Sequence, residues 1–191
     1  MEKLKANKGI IIVGILIIAV VAYYFYLSNK STPVKEETEP VILSEVQKVL
    51  LVDLEKNYPQ SPKEVVKYFC EISTCFYNEE YSEEELQQLA FKIREIYDDE
   101  LVAKQTDEQY LDRLKIEIED YKTQERTISN YSPSSSIDVE TFSEDGFEWA
   151  RLYCFFSIKQ KGVLYNVNTQ FLLRKDEDGH YKIYGWKNVE K

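Results

Sequence analysis

Histidine and glycine are scarce in this sequence, which removes most of the patterns that mark common active sites. There is one histidine among 191 residues, and there are six glycines. His180 follows a turn and has no partner at the spacing of a metal site, so we expect a turn residue and not a ligand or base. No phosphate-binding loop, nucleophile elbow or dinucleotide-binding glycine pattern occurs, and the acidic segment Asp176–Asp178 lacks the spacing of a calcium loop. The sequence therefore predicts no catalytic residue, no metal and no cofactor.

Basic residues are outnumbered, and no basic stripe follows the chain. The 34 aspartates and glutamates exceed the 24 lysines and arginines, which gives a net charge of −10. Because a negatively charged protein repels phosphate backbones, we expect no binding to nucleic acid. Internal repeats of about 20–50 residues are also missing, which argues against a solenoid and favours one folded domain.

The three cysteines are an odd number, so they cannot all form disulfides within one chain. Cys70 and Cys75 lie on one predicted helix and cannot bridge each other without unwinding it. Cys154 belongs to the inward face of a predicted strand and can therefore meet one of them. Buried free thiols are the expected state, and a pairing of Cys154 with either helix cysteine is the open alternative.

The one long apolar segment lies near the N-terminus, where residues 9–27 carry no charge. A helix rises about 1.5 Å per residue, so this segment is close in length to the roughly 30 Å of a bilayer core. Lysines come before it and acidic residues follow, which by the positive-inside rule puts residues 1–8 in the cytoplasm. The expected location is the cell membrane, with a single pass through residues 9–27 and the C-terminal domain outside. A signal peptide cleaved after Ala22 is the alternative.

The segment after the apolar run predicts a tether and then a helical region. Residues 28–41 are polar, charged and interrupted by proline, as in an extended linker, and the expected folded domain covers residues 42–191. A Ser or Thr followed three residues later by Glu or Gln is a capping box, which marks the start of a helix. Four such patterns begin at Ser44, Ser61, Ser82 and Thr106. Apolar residues at helical spacing follow the last three caps, and we expect these stripes to be core.

Beyond Thr127 the apolar residues alternate with polar ones, which is typical of strands. Short connections that contain glycine separate the segments, as in hairpins. The predicted strands are Ser136–Phe142, Phe147–Lys159, Val163–Lys175 and His180–Trp186. The expected fold class is α+β: an N-terminal transmembrane helix, then about four helices packed on a four-stranded antiparallel meander sheet.

Several segments carry resemblances to known families. The chain resembles a family of uncharacterised single-pass membrane proteins of Gram-positive gut bacteria, a domain of unknown function, in Leu54–Pro59, Ser61–Val66, Arg126–Ser129 and Phe171–Asp176. This resemblance covers most of the chain and has no activity to lend. The end of the chain, Asp178–Ile183 followed by Tyr184–Trp186, resembles the last hairpin of the nuclear-transport-factor-2-like (cystatin-like cone) superfamily. That second resemblance implies a cone-shaped domain with an internal pocket, where enzymes hold acid–base pairs; Arg151 with a nearby Tyr or Asp is the candidate here.

These observations favour a non-catalytic, membrane-tethered binding or assembly module. Strand alternation places an aromatic set on the outward sheet face beside amide side chains, which suits a protein partner or a second copy. The predicted binding residues are Trp149, Tyr153, Phe155, Tyr184 and Trp186. Alternatively, the linker, Val41–Tyr58 or Asn130–Ser136 covers this face and makes it a second small core. A small enzyme with a pocket between helices and sheet, or a subunit of an envelope secretion or conjugation machine, are the other functions considered.

Overall fold

The computed structural model describes Val20, Val21, Tyr23, Tyr24, Tyr26 and residues 43–189. The chain divides into two units, Met1–Ile42 and Leu43–Lys191. In the first unit the five described residues are helical and exposed. The predicted tail, most of the predicted transmembrane segment and the linker lie outside the described residues. No helix found within the described residues has the length and apolar character needed to cross a membrane.

Five helices precede the sheet in the second unit. They are α1 (Glu45–Leu50), α2 (Pro62–Asn78), α3 (Glu83–Arg94), α4 (Asp99–Val102) and α5 (Asp107–Thr123). All four predicted N-caps are confirmed, and the reciprocal capping box forms at Ser44, Ser82 and Thr106. At Ser61 the side chain accepts from the N–H of Glu64, while the carboxylate of Glu64 accepts instead from the N–H of Gln60 at 3.0 Å. The short helix α4 was not predicted from the sequence.

The sheet has five antiparallel strands, one more than the sequence predicted. They are β1 (Arg126–Pro133), β2 (Glu140–Glu144), β3 (Phe147–Gln160), β4 (Val163–Lys175) and β5 (Tyr181–Val189), and a 3₁₀ turn covers Ser136–Asp138. The predicted meander from β2 to β5 is confirmed. Strands β1 and β2 both pair with β3, β1 along its second half and β2 along its first half. The long central strand β3 therefore has partners on both of its edges.

The strand β1 was not predicted, because its side chains do not alternate clearly between apolar and polar residues. Only Ile128 of its eight residues is buried. Its place is set by tertiary contacts: the side-chain amide of Asn78, at the end of α2, donates to the carbonyl of Ile128 at 2.7 Å. The N–H of Ile128 in turn donates to the Asn78 side-chain oxygen at 2.9 Å, next to a bulge in the pairing with β3. A helix side chain thus completes the hydrogen bonding of this strand.

The core lies between the inner face of the sheet and helices α2 and α3. The predicted inward set of β3 is confirmed, because Ala150, Leu152, Cys154, Phe156 and Ile158 are all buried. The stripes of α2 and α3 that meet the core are buried as predicted: Val65, Phe69, Ile72, Phe76, Leu86, Leu89, Ala90, Ile93 and Tyr97, the last just beyond α3. In contrast, α5 buries only Leu114 and Ile118 along its 17 residues. This last helix therefore packs lightly and forms one wall of a cavity.

Candidate functional site

A cavity of about 620 Å³ opens between α5, α2 and the inner face of the sheet. Its volume falls within the range of small-molecule sites in proteins, about 300–1,000 Å³. The floor is apolar and buried, and consists of Phe76, Ile93, Ile128, Phe156, Ile158 and Phe171. The mouth carries exposed side chains from two sides, namely Arg113 and Glu117 of α5 and Tyr165, Trp186 and Asn188 of the sheet. The site is thus a cleft that is apolar in depth and polar and aromatic at its opening.

One wall of the cavity is a tyrosine pair attached to a carboxylate. The rings of Tyr77 and Tyr121 stack with centroids 3.9 Å apart, and the Tyr77 hydroxyl donates to Glu117 Oε1 at 2.6 Å. Burial, and then the nearby Glu117 charge, raise the pKa of Tyr77 well above its ordinary value. The phenol therefore stays protonated and acts as a donor at neutral pH.

A second group of side chains surrounds the guanidinium of Arg94. This side chain is 8% exposed, lies 3.1 Å from Asp107 Oδ1, and donates to the carbonyl of Val102 at 3.3 Å. Its guanidinium carbon lies 4.9 Å from the centre of the Tyr110 ring. Burial raises the pKa of Tyr110 to about 12, and burial also raises the pKa of Tyr97 beside it. Arg94 is thus paired and stacked, which makes it a structural support for this end of the cavity.

Two residues that line the cavity each contain a buried polar atom with no hydrogen-bond partner within the described part of the chain. The two atoms are Oε1 of Gln105 and Nε of Arg126. Buried polar groups in folded proteins are nearly always paired, because an unpaired one costs about 1–3 kcal/mol. One atom is an acceptor and the other a donor.

Of the predicted binding residues, Trp186 was placed on the wrong face of the sheet. Its ring lies 5.1 Å from that of Phe69 and 5.6 Å from that of Tyr97, on the helix side. The cause is an irregularity in β5: Leu173 pairs with Ile183, whereas Leu172 pairs with Gly185, so one extra residue stands between them. A bulge of this kind reverses the alternation beyond it. Trp186 therefore lines the mouth of the cavity.

Trp149 and Tyr184 do lie on the outward face, where they hold an arginine. The guanidinium carbon of Arg174 lies 5.7 Å from the Trp149 ring and 5.2 Å from the Tyr184 ring. Arg174 makes a two-point ion pair with Asp98, Nε to Oδ2 at 2.9 Å and a terminal nitrogen to Oδ1 at 2.6 Å. It also donates to Glu100 at 2.7 Å, and the Tyr184 hydroxyl donates to the same carboxylate at 2.9 Å. This end of the face is therefore an ion-pair and aromatic network, and the alternative of a covering segment stays a prediction.

Tyr153 and Phe155 remain on the outward face with substantial exposure, 37% and 39% of their surface. The Tyr153 hydroxyl accepts from the side-chain amide of Gln170 at 2.7 Å. The five predicted residues thus divide into three places: an arginine network, an exposed aromatic pair and the cavity mouth. Whether the exposed pair binds a partner stays a prediction.

The other residues considered from the sequence lie away from the cavity. Arg151 lies on the outward face, where it pairs with Glu140 at 2.9 Å, so its suggested role in a pocket is wrong. His180 stacks on Tyr58 with centroids 4.2 Å apart. Ligand atoms of Asp176, Asp178 and His180 lie within 4.8 Å of one another. Asp176 already accepts from the N–H of His180, and the absence of a metal site stays a prediction.

The cavity residues were not recognised from the sequence as a site. Tyr77, Glu117, Tyr121 and Arg126 come from three elements, and no motif connects them. The only local sign is the spacing of Glu117 and Tyr121, one turn apart on α5. Tyrosine is plentiful in this chain, with 15 copies, and does not stand out by itself.

Comparison with known proteins adds a family and no activity. No curated protein matches the chain. The resemblance to a family of uncharacterised proteins is confirmed as far as a domain of unknown function. The membrane location and the likeness to the cone superfamily stay predictions. The profile described as a domain of unknown function (DUF6715) matches residues 1–186, and the chain therefore belongs to this family.

Proposed function

We propose that the folded domain is a non-catalytic binding module that holds a small, flat, mainly apolar ligand with a polar end in the 620 Å³ cavity. The observation that carries the proposal is the cleft itself, which is apolar and buried in depth and polar and aromatic at its opening. The rings of Tyr77, Tyr121 and Trp186 offer stacking surfaces, which favour a planar ligand.

The proposal also keeps the module at the membrane. Its support is the uncharged segment 9–27, preceded by lysines and followed by an acidic domain. With the domain outside the cell, the ligand would come from the surroundings or from the outer leaflet. Protease added to intact cells should degrade the domain and leave a membrane-held N-terminal fragment. A mature protein that begins at Tyr23 would contradict the anchor.

Ligand binding can be tested with an apolar probe and one cavity-filling variant. The full-length chain in detergent is titrated with 1-anilinonaphthalene-8-sulfonate, a planar aromatic sulfonate that fluoresces in apolar sites. Val167→Phe places a ring in the cavity from β4, where Val167 is one of the lining residues. Val163→Phe is the matched control, because Val163 is the same residue type on the same strand but is 68% exposed.

We expect the probe to bind the wild type and the control alike, and the cavity variant at least tenfold more weakly. A Trp149→Phe background leaves Trp186 as the single tryptophan, so its emission reports on the cavity mouth directly. Equal binding by Val167→Phe would contradict the proposal, as would binding without any change in Trp186 emission.

A small enzyme that uses the same cavity is the second candidate, and the Tyr77–Glu117 pair favours it. A carboxylate and a protonated phenol at 2.6 Å can serve as base and donor for a bound molecule. Glu117→Gln separates the two functions, since the amide keeps the size of the side chain and removes the base. Retained affinity for an identified ligand without any turnover supports the binding module. Turnover that is lost in Glu117→Gln supports the enzyme.

A further inference from the structure

Two cysteines that are distant in sequence meet in the core of the domain. The sulfur atoms of Cys70 on α2 and Cys154 on β3 lie 3.6 Å apart, and both residues are fully buried. All three cysteines are free thiols in the structure. Cys75 is also buried.

We propose that Cys70 and Cys154 form a disulfide when the chain folds in an oxidising compartment, which ties helix α2 to the central strand β3. The oxidant is a disulfide-bearing compound or thiol oxidase. In the first step one cysteine thiolate attacks a sulfur of the oxidant, forms a mixed disulfide and releases one thiolate. In the second step the other cysteine attacks its neighbour's sulfur and releases the second thiolate. The two protons of the cysteines go to the released thiolates, so one disulfide is reduced as one is formed.

The geometry favours this pair over the two other pairings. Cys70 and Cys75 lie on different sides of the same helix, α2, and cannot form a disulfide without unwinding that helix. Cys154 points inward from β3 and meets Cys70 directly. The two sulfur atoms are in hydrogen-bond contact, and either thiol can be the donor. Burial raises the pKa of Cys70.

The bond would join two walls of the cavity. Phe69 precedes Cys70 on α2, and Phe156 lies two positions beyond Cys154 on the same face of β3; both residues line the cavity. The inference does not depend on ligand binding, because it concerns only the two thiols and the compartment.

The test counts thiols after refolding. Full-length protein in detergent is unfolded, refolded with a mixture of reduced and oxidised glutathione, denatured and treated with an alkylating agent. We expect one alkylated cysteine in the wild type, none in Cys75→Ala, and two in Cys154→Ala. Peptide mapping should link Cys70 to Cys154. The oxidised wild type should melt about 4–16 °C higher than the reduced form.

Two outcomes would overturn the proposal. Three alkylated cysteines in the wild type would show that the pair does not bridge. A linked peptide that contains Cys75 would show that the wrong pair was chosen. Because the wild type alone decides these two points, a variant that fails to fold leaves the test intact.

Discussion

Removal of Arg174 should cost more stability than removal of any other arginine on the outward face. The side chain of Arg174 is 14% exposed and that of its partner Asp98 is 6% exposed. Arg174→Met keeps most of the packing against the neighbouring rings but leaves the Asp98 carboxylate buried and unpaired. Breaking a buried ion pair on one side costs about 3–5 kcal/mol. At about 2–4 °C for each kcal/mol in a domain of this size, the melting temperature should fall by about 6–20 °C.

Arg151→Met is the matched control, since Arg151 lies on the same sheet face in the neighbouring strand. Its pair with Glu140 is more exposed, 36% and 61% for the two side chains, so its loss should cost about 0–1 kcal/mol. Thermal unfolding followed by circular dichroism at neutral pH measures both variants.

A double variant tests whether the loss of stability in Arg174→Met comes from the unpaired charge of Asp98. Asp98→Asn added to Arg174→Met removes the unpaired charge, and the asparagine can still accept from the N–H of Glu100, as Asp98 does at 3.0 Å. We expect the double variant to melt higher than Arg174→Met alone. If Arg174→Met melts within about 2 °C of the control, the network adds nothing to stability and the reasoning is refuted.

Three further predictions concern other parts of the domain. The pKa of Glu100 is lowered from 4.5, first by its hydrogen bond with Arg174 and then by that with Tyr184. Its contribution to stability is therefore present above pH 4.5 and is lost as the pH falls through the lower pKa of the folded state. The difference in melting temperature between the wild type and Glu100→Gln should close below pH 4.5. Leu89→Asp should abolish folding, because Leu89 is 0% exposed and an unpaired charge there offsets much of the roughly 5–15 kcal/mol that stabilises a domain; near-wild-type melting would show that the α3 stripe is assigned wrongly. Tyr153→Ala with Phe155→Ala should weaken self-association or partner binding, measured by sedimentation, while the melting temperature changes little; unchanged association would remove the outward face as a binding surface.

The helix starts could be predicted from the sequence because their contacts are local. A capping box joins a side chain to a backbone N–H three residues away, so Ser82 and Glu85 carry all the information required. The inward face of β3 could be predicted for a similar reason, since alternation is a property of a single strand. These contacts do not depend on what the rest of the chain does.

The site could not be predicted from the sequence, because it depends on contacts between distant segments. Glu117 reaches the Tyr77 hydroxyl across 40 positions, and Cys70 meets Cys154 across 84. Neither separation is encoded in a motif. The cavity lies between α5 and the sheet, and it is not filled because α5 buries few side chains there.

The sequence by itself determined the α+β class, the four caps and the inward faces of α2, α3 and β3, since each follows from residues a few positions apart. The tertiary structure decided the rest through pairing and register. The strand β1 exists because the long β3 offers it an edge, and Asn78 completes its hydrogen bonds. One extra residue in β5 moves Trp186 from the outward face to the cavity mouth, because strand alternation holds only while the register between neighbouring strands is unbroken.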